Sequence, residues 1–257
     1  MSISVVTTFP PHNDHAMGRE FIDNFKKYWP EECTLYAYFE DDKIVPDECD
    51  RVKNLNLFSI KPFTDFINKY SGEKERSVIS GFTPMEMYRW AEGKRYNYRY
   101  DAFKFCRKLY ALQAAMKRAD GGLMIWVDAD IVTNKPFNAD ILRGLLPSGK
   151  AVSCLDRDGG YTETGLICFD LDDVRARKIV NKCADIYSKD MFAYLSVWID
   201  SVVFDMVKFA SLDDGEWHAI ESDRGNDPFE SCPLSPYATH LKGAKKDGQM
   251  IVTGKQT

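Results

Sequence analysis

The chain has 257 residues, of which 44% are hydrophobic, and this apolar content is enough for the core of one large α/β domain. Its formal net charge is -5, and its charged residues form no long run of one sign. Binding of duplex nucleic acid needs a basic face. The composition therefore argues against a protein that binds nucleic acid duplexes and against an intrinsically disordered chain.

Seven cysteines are scattered along the chain without a CxxC pair, which excludes a zinc ribbon and a thioredoxin-type motif. Most of them lie inside apolar patterns, so we expect buried thiols in a reducing compartment. The N-terminal residues lack the charged and apolar regions of a signal peptide, and no stretch approaches the roughly 18 apolar residues of a membrane span. We therefore expect a cytoplasmic protein without a membrane span.

The first half of the chain alternates between strand-like and helix-like patterns. A β-rich run over residues 2–8 is broken at 9–11 by Phe-Pro-Pro. Apolar residues then recur at helical spacing over 17–28, and further strands are predicted at 35–39 and 52–60. This alternation predicts a mainly parallel sheet with helices on its faces.

Residues 64–99 are polar, aromatic and irregular, and we expect a flap or an inserted segment there. Beyond them the patterns predict helices over 102–114, 176–187 and 199–210 and strands over 123–127, 151–155 and 166–169. The run over 123–127 is continuously apolar, which is typical of a strand buried on both faces. The absence of repeats and linkers predicts a single α/β domain over 1–257, with 211–257 rich in loops.

Two acids, Asp128 and Asp130, directly follow the apolar strand 123–127. In open α/β sheets, ligands bind at the carboxyl ends of the strands. Carboxylates this close repel one another unless a cation neutralises them, and oxygen ligands suit Mn²⁺ or Mg²⁺. The pair therefore predicts a metal site that would bind a diphosphate, with an ordinary turn as the alternative.

The sequence LMIWVDADIVTNKPF, in which a hydrophobic strand precedes DAD, apolar residues and a Pro-Phe pair, resembles the DxD region of GT-A glycosyltransferases. The resemblance implies a GT-A (Rossmann-like) fold with a mainly parallel central sheet in a single domain. It also implies that Asp128 and Asp130 hold Mn²⁺ or Mg²⁺ on the diphosphate of a nucleotide-sugar. Asp130 would be the more direct ligand, and Asp128 and Ala129 would lie against the nucleotide.

A second resemblance lies near the C-terminus, where His240, Gly243 and Lys246 reproduce the pattern H-x-x-G-x-x-K. This pattern is similar to the C-terminal motif of glycogenin-like, family-8-type retaining transferases, although the usual Pro-Trp after the lysine is absent. It implies that His240 completes the metal site, that Gly243 lets the backbone approach the phosphates and that Lys246 contacts the diphosphate. Imidazole is a good ligand for Mn²⁺-like ions, and the segment 211–257 would thus complete the site.

Residues 98–108, YRYDAFKFCRK, resemble a helix start found in several GT-A subfamilies. The resemblance assigns Arg99, Asp101 and Lys108 to the nucleotide or the diphosphate. Asp101 also suits the N-cap of the helix that follows.

The first strand ends at Thr7, Thr8 and Phe9. GT-A proteins place the nucleobase against this turn. We therefore expect hydrogen bonds from the two threonines and a ring face from Phe9, with a plain strand-to-loop transition as the alternative.

Two further elements resemble parts of the sugar pocket. Glu163-Thr164-Gly165 is similar to an element that lines it, and Asp200 corresponds to the acid that holds a donor sugar hydroxyl in glycogenin-like enzymes. Asp200 also suits a helix start, where a carboxylate interacts favourably with the dipole. Ser201 stands where those enzymes have Gln, so both retention and inversion stay open. An inverting enzyme needs a carboxylate base, for which the chain offers Asp156, Asp158, Glu163 and Asp200.

These patterns predict a metal-dependent hexosyltransferase that uses a nucleotide-diphosphate sugar, with a UDP-sugar as the expected donor and a hydroxyl of a glycan, protein or small molecule as acceptor. One alternative is a phosphatase of the haloacid-dehalogenase type with Asp128 as nucleophile, Ser153 as second motif and Asp213-Asp214 as acidic pair. A nucleotidyltransferase is disfavoured because residues 7–19 lack a Gly-rich loop. A catalytically silent carbohydrate-binding protein of the same fold is the third alternative.

Overall fold

The computed structural model describes residues 2–9, 14–40, 49–72, 79–83 and 95–242. Within them the strands are β1 (Ile3–Phe9), β2 (Cys33–Phe39), β3 (Val52–Asn56), β4 (Ser80–Thr83), β5 (Arg95–Asp101), β6 (Leu123–Val127), β7 (Ile131–Thr133), β8 (Val152–Leu155), β9 (Glu163–Asp170), β10 (Trp217–Ala219) and β11 (Ala238–His240). The α-helices are α1 (Asp14–Tyr28), α2 (Lys61–Lys69), α3 (Ala102–Met116), α4 (Ala139–Gly144), α5 (Val174–Ser188) and α6 (Asp200–Phe209). Short 3₁₀ turns lie at Leu57–Ser59, Met191–Tyr194 and Pro228–Ser231.

Seven strands form the central sheet in the order β10-β8-β9-β6-β1-β2-β3. All pair in parallel except at β9, which runs antiparallel to both of its neighbours, β6 and β8. The prediction of a mainly parallel α/β sheet flanked by helices is confirmed. Because this single strand is reversed, its first residue lies at the edge where the other strands end.

The sheet separates two hydrophobic cores, and alternate residues of each central strand enter opposite ones. On β6, Ile125 belongs to the core that includes Phe25 of α1, whereas Trp126 belongs to the core that includes Leu109 of α3. All five residues of β6 are buried. The continuous apolar run in the sequence therefore reflects a strand that is covered on both faces, as predicted.

The helix predictions follow the same logic. The apolar stripe over 17–28 forms α1, in which Phe21 and Phe25 are buried, and the stripe over 102–114 forms α3. Asp101 caps α3 by accepting a hydrogen bond from the backbone N–H of Lys104 at 2.9 Å, so its predicted N-cap role is confirmed.

The segment 64–99, which the sequence leaves irregular, contains the end of α2 and the strands β4 and β5, which pair antiparallel. The sequence pattern also misses β7, β10 and β11, each only three residues long. Such short strands carry too few residues for a visible alternation of apolar and polar positions. Within the described ranges, no helix combines the length and the apolar character that crossing a bilayer requires.

All seven cysteines lie in described parts of the chain without a disulfide; six are buried and Cys49 is half-buried. Burial raises the pKa of Cys154 to about 11 and that of Cys33 to about 12 because the interior disfavours the thiolate.

We therefore expect a thiol reagent at pH 8 to label Cys49 rapidly and the other six cysteines only after denaturation, as measured by the absorbance of the released chromophore. Rapid labelling of several thiols in the native protein would contradict this packing.

Candidate functional site

The functional side chains gather at the edge where the parallel strands end. Asp128, Ala129 and Asp130 follow the last residue of β6, and the backbone N–H of Asp128 donates to the carbonyl of Gly165 on β9 at 2.9 Å. Because β9 is reversed, its first residue, Glu163, lies at this same edge and pairs with Leu155 at the end of β8. The topology thus places Glu163 beside the acidic pair, although Glu163 follows Asp130 by 33 positions in the sequence.

His240 reaches the same edge from the far end of the described chain. It ends β11, which pairs antiparallel with β7 so that His240 lies opposite Ile131. The next backbone N–H, that of Leu241, donates to the carbonyl of Asp130 at 2.9 Å. The imidazole is only 3% exposed, and its Nε2 lies 3.4 Å from Asp130 Oδ1. The structure therefore brings together the three residues that the sequence assigned to the metal.

Asp128, Glu163 and His240 each direct one ligand atom into a common space, and these atoms lie within 4.8 Å of one another. Gly165 forms the wall of this space. A Cβ there would lie 3.1 Å from Glu163 Oε1, 3.2 Å from His240 Cε1 and 3.5 Å from Asp128 Oδ2. Carboxylate oxygens with an imidazole nitrogen suit Mn²⁺, and oxygen ligands suit Mg²⁺. The ligand atoms of Asp128, Glu163 and His240, together with the space that the missing side chain of Gly165 leaves open, thus fit a divalent ion.

Protein contacts fix the orientation of Asp128. Its Oδ1 accepts a hydrogen bond from Trp126 Nε1 at 2.6 Å and lies 3.0 Å from Lys108 Nζ. Its Oδ2 is the oxygen that faces Gly165. One carboxylate oxygen is therefore held by the protein interior, and the other is directed into the space between Glu163 and His240.

Lys108 is the buried cation beneath this arrangement. Its ammonium lies 2.5 Å from Asp200 Oδ2, donates to the carbonyl of Thr164 at 2.8 Å and sits 5.1 Å from the centre of the Trp126 ring. Burial alone lowers the pKa of Lys108, but Asp128 and Asp200 outweigh it and raise the pKa above its ordinary value. The lysine thus stays protonated between two carboxylates. The contact with a diphosphate that the sequence analysis assigned to Lys108 stays a prediction.

Glu163 is held from the other side by two cations that the sequence reasoning missed. Its Oε2 forms ion pairs with Arg157 and Lys242, and its Oε1 accepts from the backbone N–H of Gly165 at 2.9 Å. Loss of hydration lowers the pKa of both Lys242 and Arg157. The only sequence signal for Lys242 is its position two residues after His240.

Three other predicted site residues lie apart from the cluster of Asp128, Glu163 and His240. Asp156 follows β8 at the same edge and lies 3.8 Å from the guanidinium of Arg224. Arg99 is exposed, and its carbonyl accepts from the backbone N–H of Trp198 at 2.7 Å. Asp101 accepts hydrogen bonds from its own helix and from the Tyr96 hydroxyl. The nucleotide contacts assigned to Arg99 and Asp101 stay predictions.

The first strand departs from expectation at Phe9. Its ring is fully buried, 5.6 Å from the centre of Phe21 and 5.0 Å from that of Phe39. The predicted ring face for a nucleobase is wrong, because this ring fills the core between β1 and α1. Thr7 is also fully buried and Thr8 half-buried, so their contacts with a nucleobase stay predictions.

Gly243 and Lys246, the two other residues of the predicted C-terminal motif, lie outside the described residues.

The topology argues against the phosphatase alternative. Asp128 follows β6, whereas Asp213 and Asp214 lie in the turn before β10. Because β10 runs parallel to β6, that turn is at the opposite edge of the sheet. Ser153 is fully buried within β8, so it cannot meet a substrate next to Asp128.

No protein-family model and no curated protein sequence matches the chain. Among solved structures it is similar to a glycosyltransferase involved in glycosylation of the major capsid of PBCV-1, with a TM-score of 0.54 and 10% identity over 98% of this chain and 100% of that one. Similarity at this identity shows the fold. The chain therefore has the GT-A fold of glycosyltransferases.

Two weaker similarities have a TM-score of 0.47. One is to the glycosyltransferase GlyE of Streptococcus pneumoniae TIGR4, at 9% identity over 86% of this chain and 45% of that chain, so this chain spans less than half of GlyE. The other is to mouse xyloside xylosyltransferase 1 in its apo form, at 11% identity over 86% of each chain.

We expect Lys108→Met to lower the free energy of unfolding by about 3 kcal/mol, because it leaves the buried Asp200 and the half-buried Asp128 without their counter-ion. Urea denaturation at pH 7 measures the change. The matched control is Lys104→Met, one turn earlier on the exposed side of α3, where the change should stay within about 0.5 kcal/mol. Equal effects of the two substitutions would contradict the assigned role of Lys108.

We expect Gly165→Ala to weaken Mn²⁺ binding at least about tenfold, or about 1.4 kcal/mol, because the new methyl group would enter the space between Glu163 and His240. Calorimetric titration measures the dissociation constant. Gly144→Ala is the control, since a Cβ there meets no atom within 4 Å. Unchanged Mn²⁺ affinity in Gly165→Ala would show that the ion, if bound, lies elsewhere.

Proposed function

We propose that this chain is a metal-dependent glycosyltransferase that moves a hexose from a nucleotide-diphosphate sugar, with a UDP-sugar as donor, to a hydroxyl acceptor. The observation that carries the proposal is the convergence of Asp128, Glu163 and His240 around Gly165 at the ligand-binding edge of a GT-A sheet. Asp130, 3.4 Å from His240 Nε2, adjoins this group.

The charges of the connected side chains support a divalent ion. The contacts link five acids, namely Asp128, Asp130, Glu163, Asp200 and Asp227, to three cations, namely Lys108, Arg157 and Lys242. In their ordinary ionised forms, and with the imidazole taken as uncharged, these described groups by themselves carry two negative charges in excess. Anionic groups this close favour a bound cation, and Mn²⁺ or Mg²⁺ would restore neutrality.

Asp128, Asp130, His240 and Glu163 would hold the ion, which when bound would stabilise the negative charge of the departing diphosphate. Lys242 and Arg157 carry positive charge on the Glu163 side of the same space. Lys108 and Thr164 fix Asp200, whose Oδ2 accepts from Thr164 Oγ1 at 2.9 Å. We assign these groups to orienting the donor.

The catalytic carboxylates of the proposal are Asp200, Glu163 and Asp156, in different environments. Asp200 is already bound by Lys108, which suits holding a donor sugar, whereas Glu163 is bound by Arg157 and Lys242 and faces the ion. The side chain of Asp156 is 26% exposed and lies outside the cluster, which suits contact with an acceptor hydroxyl. An inverting reaction would use such a carboxylate as base.

The test is a thermal-shift screen of nucleotide-sugars with and without Mn²⁺, followed by a measurement of UDP release with mixed hydroxyl acceptors. Ligands that bind the folded state raise its melting temperature. We expect a Mn²⁺-dependent shift with a UDP-sugar that Asp130→Asn abolishes, together with a loss of turnover of about 100-fold. Asp140→Asn, an exposed acid paired with Arg143 on α4, is the matched control and should keep both.

Each outcome separates the alternatives. A shift that survives Asp130→Asn would refute the site, and a protein indifferent to divalent ions would refute metal dependence. Binding of the nucleotide-sugar without release of UDP under any acceptor would instead support the catalytically silent carbohydrate-binding protein.

A further inference from the structure

His240 has a second carboxylate neighbour on the side away from the acidic pair. Its Nδ1 lies 3.4 Å from Asp227 Oδ1, while its Nε2 lies 3.4 Å from Asp130 Oδ1. Both Nδ1 and Asp227 Oδ1 are buried, and among the described residues neither atom meets the geometry of a hydrogen bond with any partner, including the other one. Buried polar atoms usually have a hydrogen-bond partner, and Asp227 Oδ1 is the acceptor that lies within reach of His240 Nδ1.

We propose that Asp227 is a positioning residue for the metal site, an inference that rests on the proposed function. Its carboxylate would accept the Nδ1 hydrogen of His240 and thereby keep the lone pair on Nε2, the nitrogen that lies 3.4 Å from Asp130 Oδ1. A neutral imidazole carries a single N–H, and the partner of one ring nitrogen decides which nitrogen is left to bind a metal. Histidines that bind metals usually donate their other N–H to such a group.

The surroundings hold Asp227 in this place. Its carbonyl accepts from the backbone N–H of Glu230 at 3.1 Å at the start of the 3₁₀ turn Pro228–Ser231. Phe229 in the same turn is 1% exposed and packs edge-on against the His240 ring at 5.7 Å. Lys242 Nζ lies 3.3 Å from Asp227 Oδ1. One turn thus fixes both the ring plane and the carboxylate.

Asp227 is not itself a ligand in this arrangement. Its oxygen faces Nδ1, whereas the ligand atoms that lie within 4.8 Å of one another come from Asp128, Glu163 and His240. An ion bound to Nε2 lies on the opposite side of the ring from Nδ1. The role of Asp227 is therefore exerted through His240.

The experiment measures the Mn²⁺ dissociation constant by electron paramagnetic resonance of the unbound ion. We expect Asp227→Ala to weaken binding about 10- to 100-fold, the range typical of groups that orient a metal ligand. Asp227→Asn keeps an acceptor oxygen and should recover part of the affinity. Asp223→Asn is the matched control: this exposed acid of the same loop accepts from the backbone N–H of Gly225 at 3.0 Å, and its substitution should leave the affinity unchanged.

A double-mutant cycle separates orientation of His240 from a general loss of structure. In the His240→Ala background, Asp227→Ala should cause no further loss, because the ring through which it acts is gone. The same loss in both backgrounds, or equal affinity of Asp227→Ala and the wild type, overturns the proposal. Circular dichroism monitors folding, and if Asp227→Ala does not fold, Asp227→Asn carries the cycle.

Mn²⁺ binding by the wild-type protein distinguishes failure of the positioning role of Asp227 from failure of the proposed metal site. A wild-type protein that binds no Mn²⁺ refutes the metal site itself and the role of Asp227 with it. A wild type that binds Mn²⁺ with an affinity independent of Asp227 refutes only the positioning role.

Discussion

The arrangement of the site depends on one buried ion cluster, in which the Lys108 ammonium lies between Asp128 and Asp200. These three residues come from α3, from the end of β6 and from the start of α6, so the cluster joins elements that pack on the sheet. An unpaired carboxylate buried at this depth would be costly. Because Lys108 and Trp126 bind one oxygen of Asp128, the other is left for the space around Gly165. Structural stability and the geometry of the site therefore follow from the same contacts.

Those parts of the fold and of the candidate site that depend on local sequence patterns could be predicted from the sequence. The apolar run before Asp128 predicted a strand with acids at its end, and the resemblance of the segment that begins at His240 to a transferase motif implied a second part of the same site. The burial of Phe9 could also have been predicted from the sequence. Ile3, Val5 and Phe9 are separated by even numbers of positions, so their side chains lie on one face of β1, and all three enter one core. Period-two alternation would have assigned the Phe9 ring to that core rather than to a ligand.

The rest of the site depends on pairing between distant segments, which a local pattern does not contain. Glu163 lies beside Asp128 only because β9 runs against its neighbours. The sequence led us to assign Glu163 to the sugar pocket or to a catalytic base, and not to the metal, because nothing in Glu163-Thr164-Gly165 reveals the strand direction. Asp227 lies in a loop without periodicity, and its role becomes visible only when β11 pairs with β7 and brings His240 within reach. The pairing of segments that are distant in the sequence is therefore what local sequence patterns could not predict.

This dependence on β11 implies a linkage between ion binding and the pairing of β11 with β7. Only three residues of β11 pair with β7, yet they carry His240 to the site and set Lys242 against Glu163. Such a short ladder holds the segment weakly by itself, so the contacts of its side chains supply much of the remaining stability. Any ion that binds His240 together with Asp128 also binds only the docked form, and it must stabilise docking by the same free energy that docking contributes to its affinity. Ion binding at His240 would therefore be coupled to the pairing of β11 with β7.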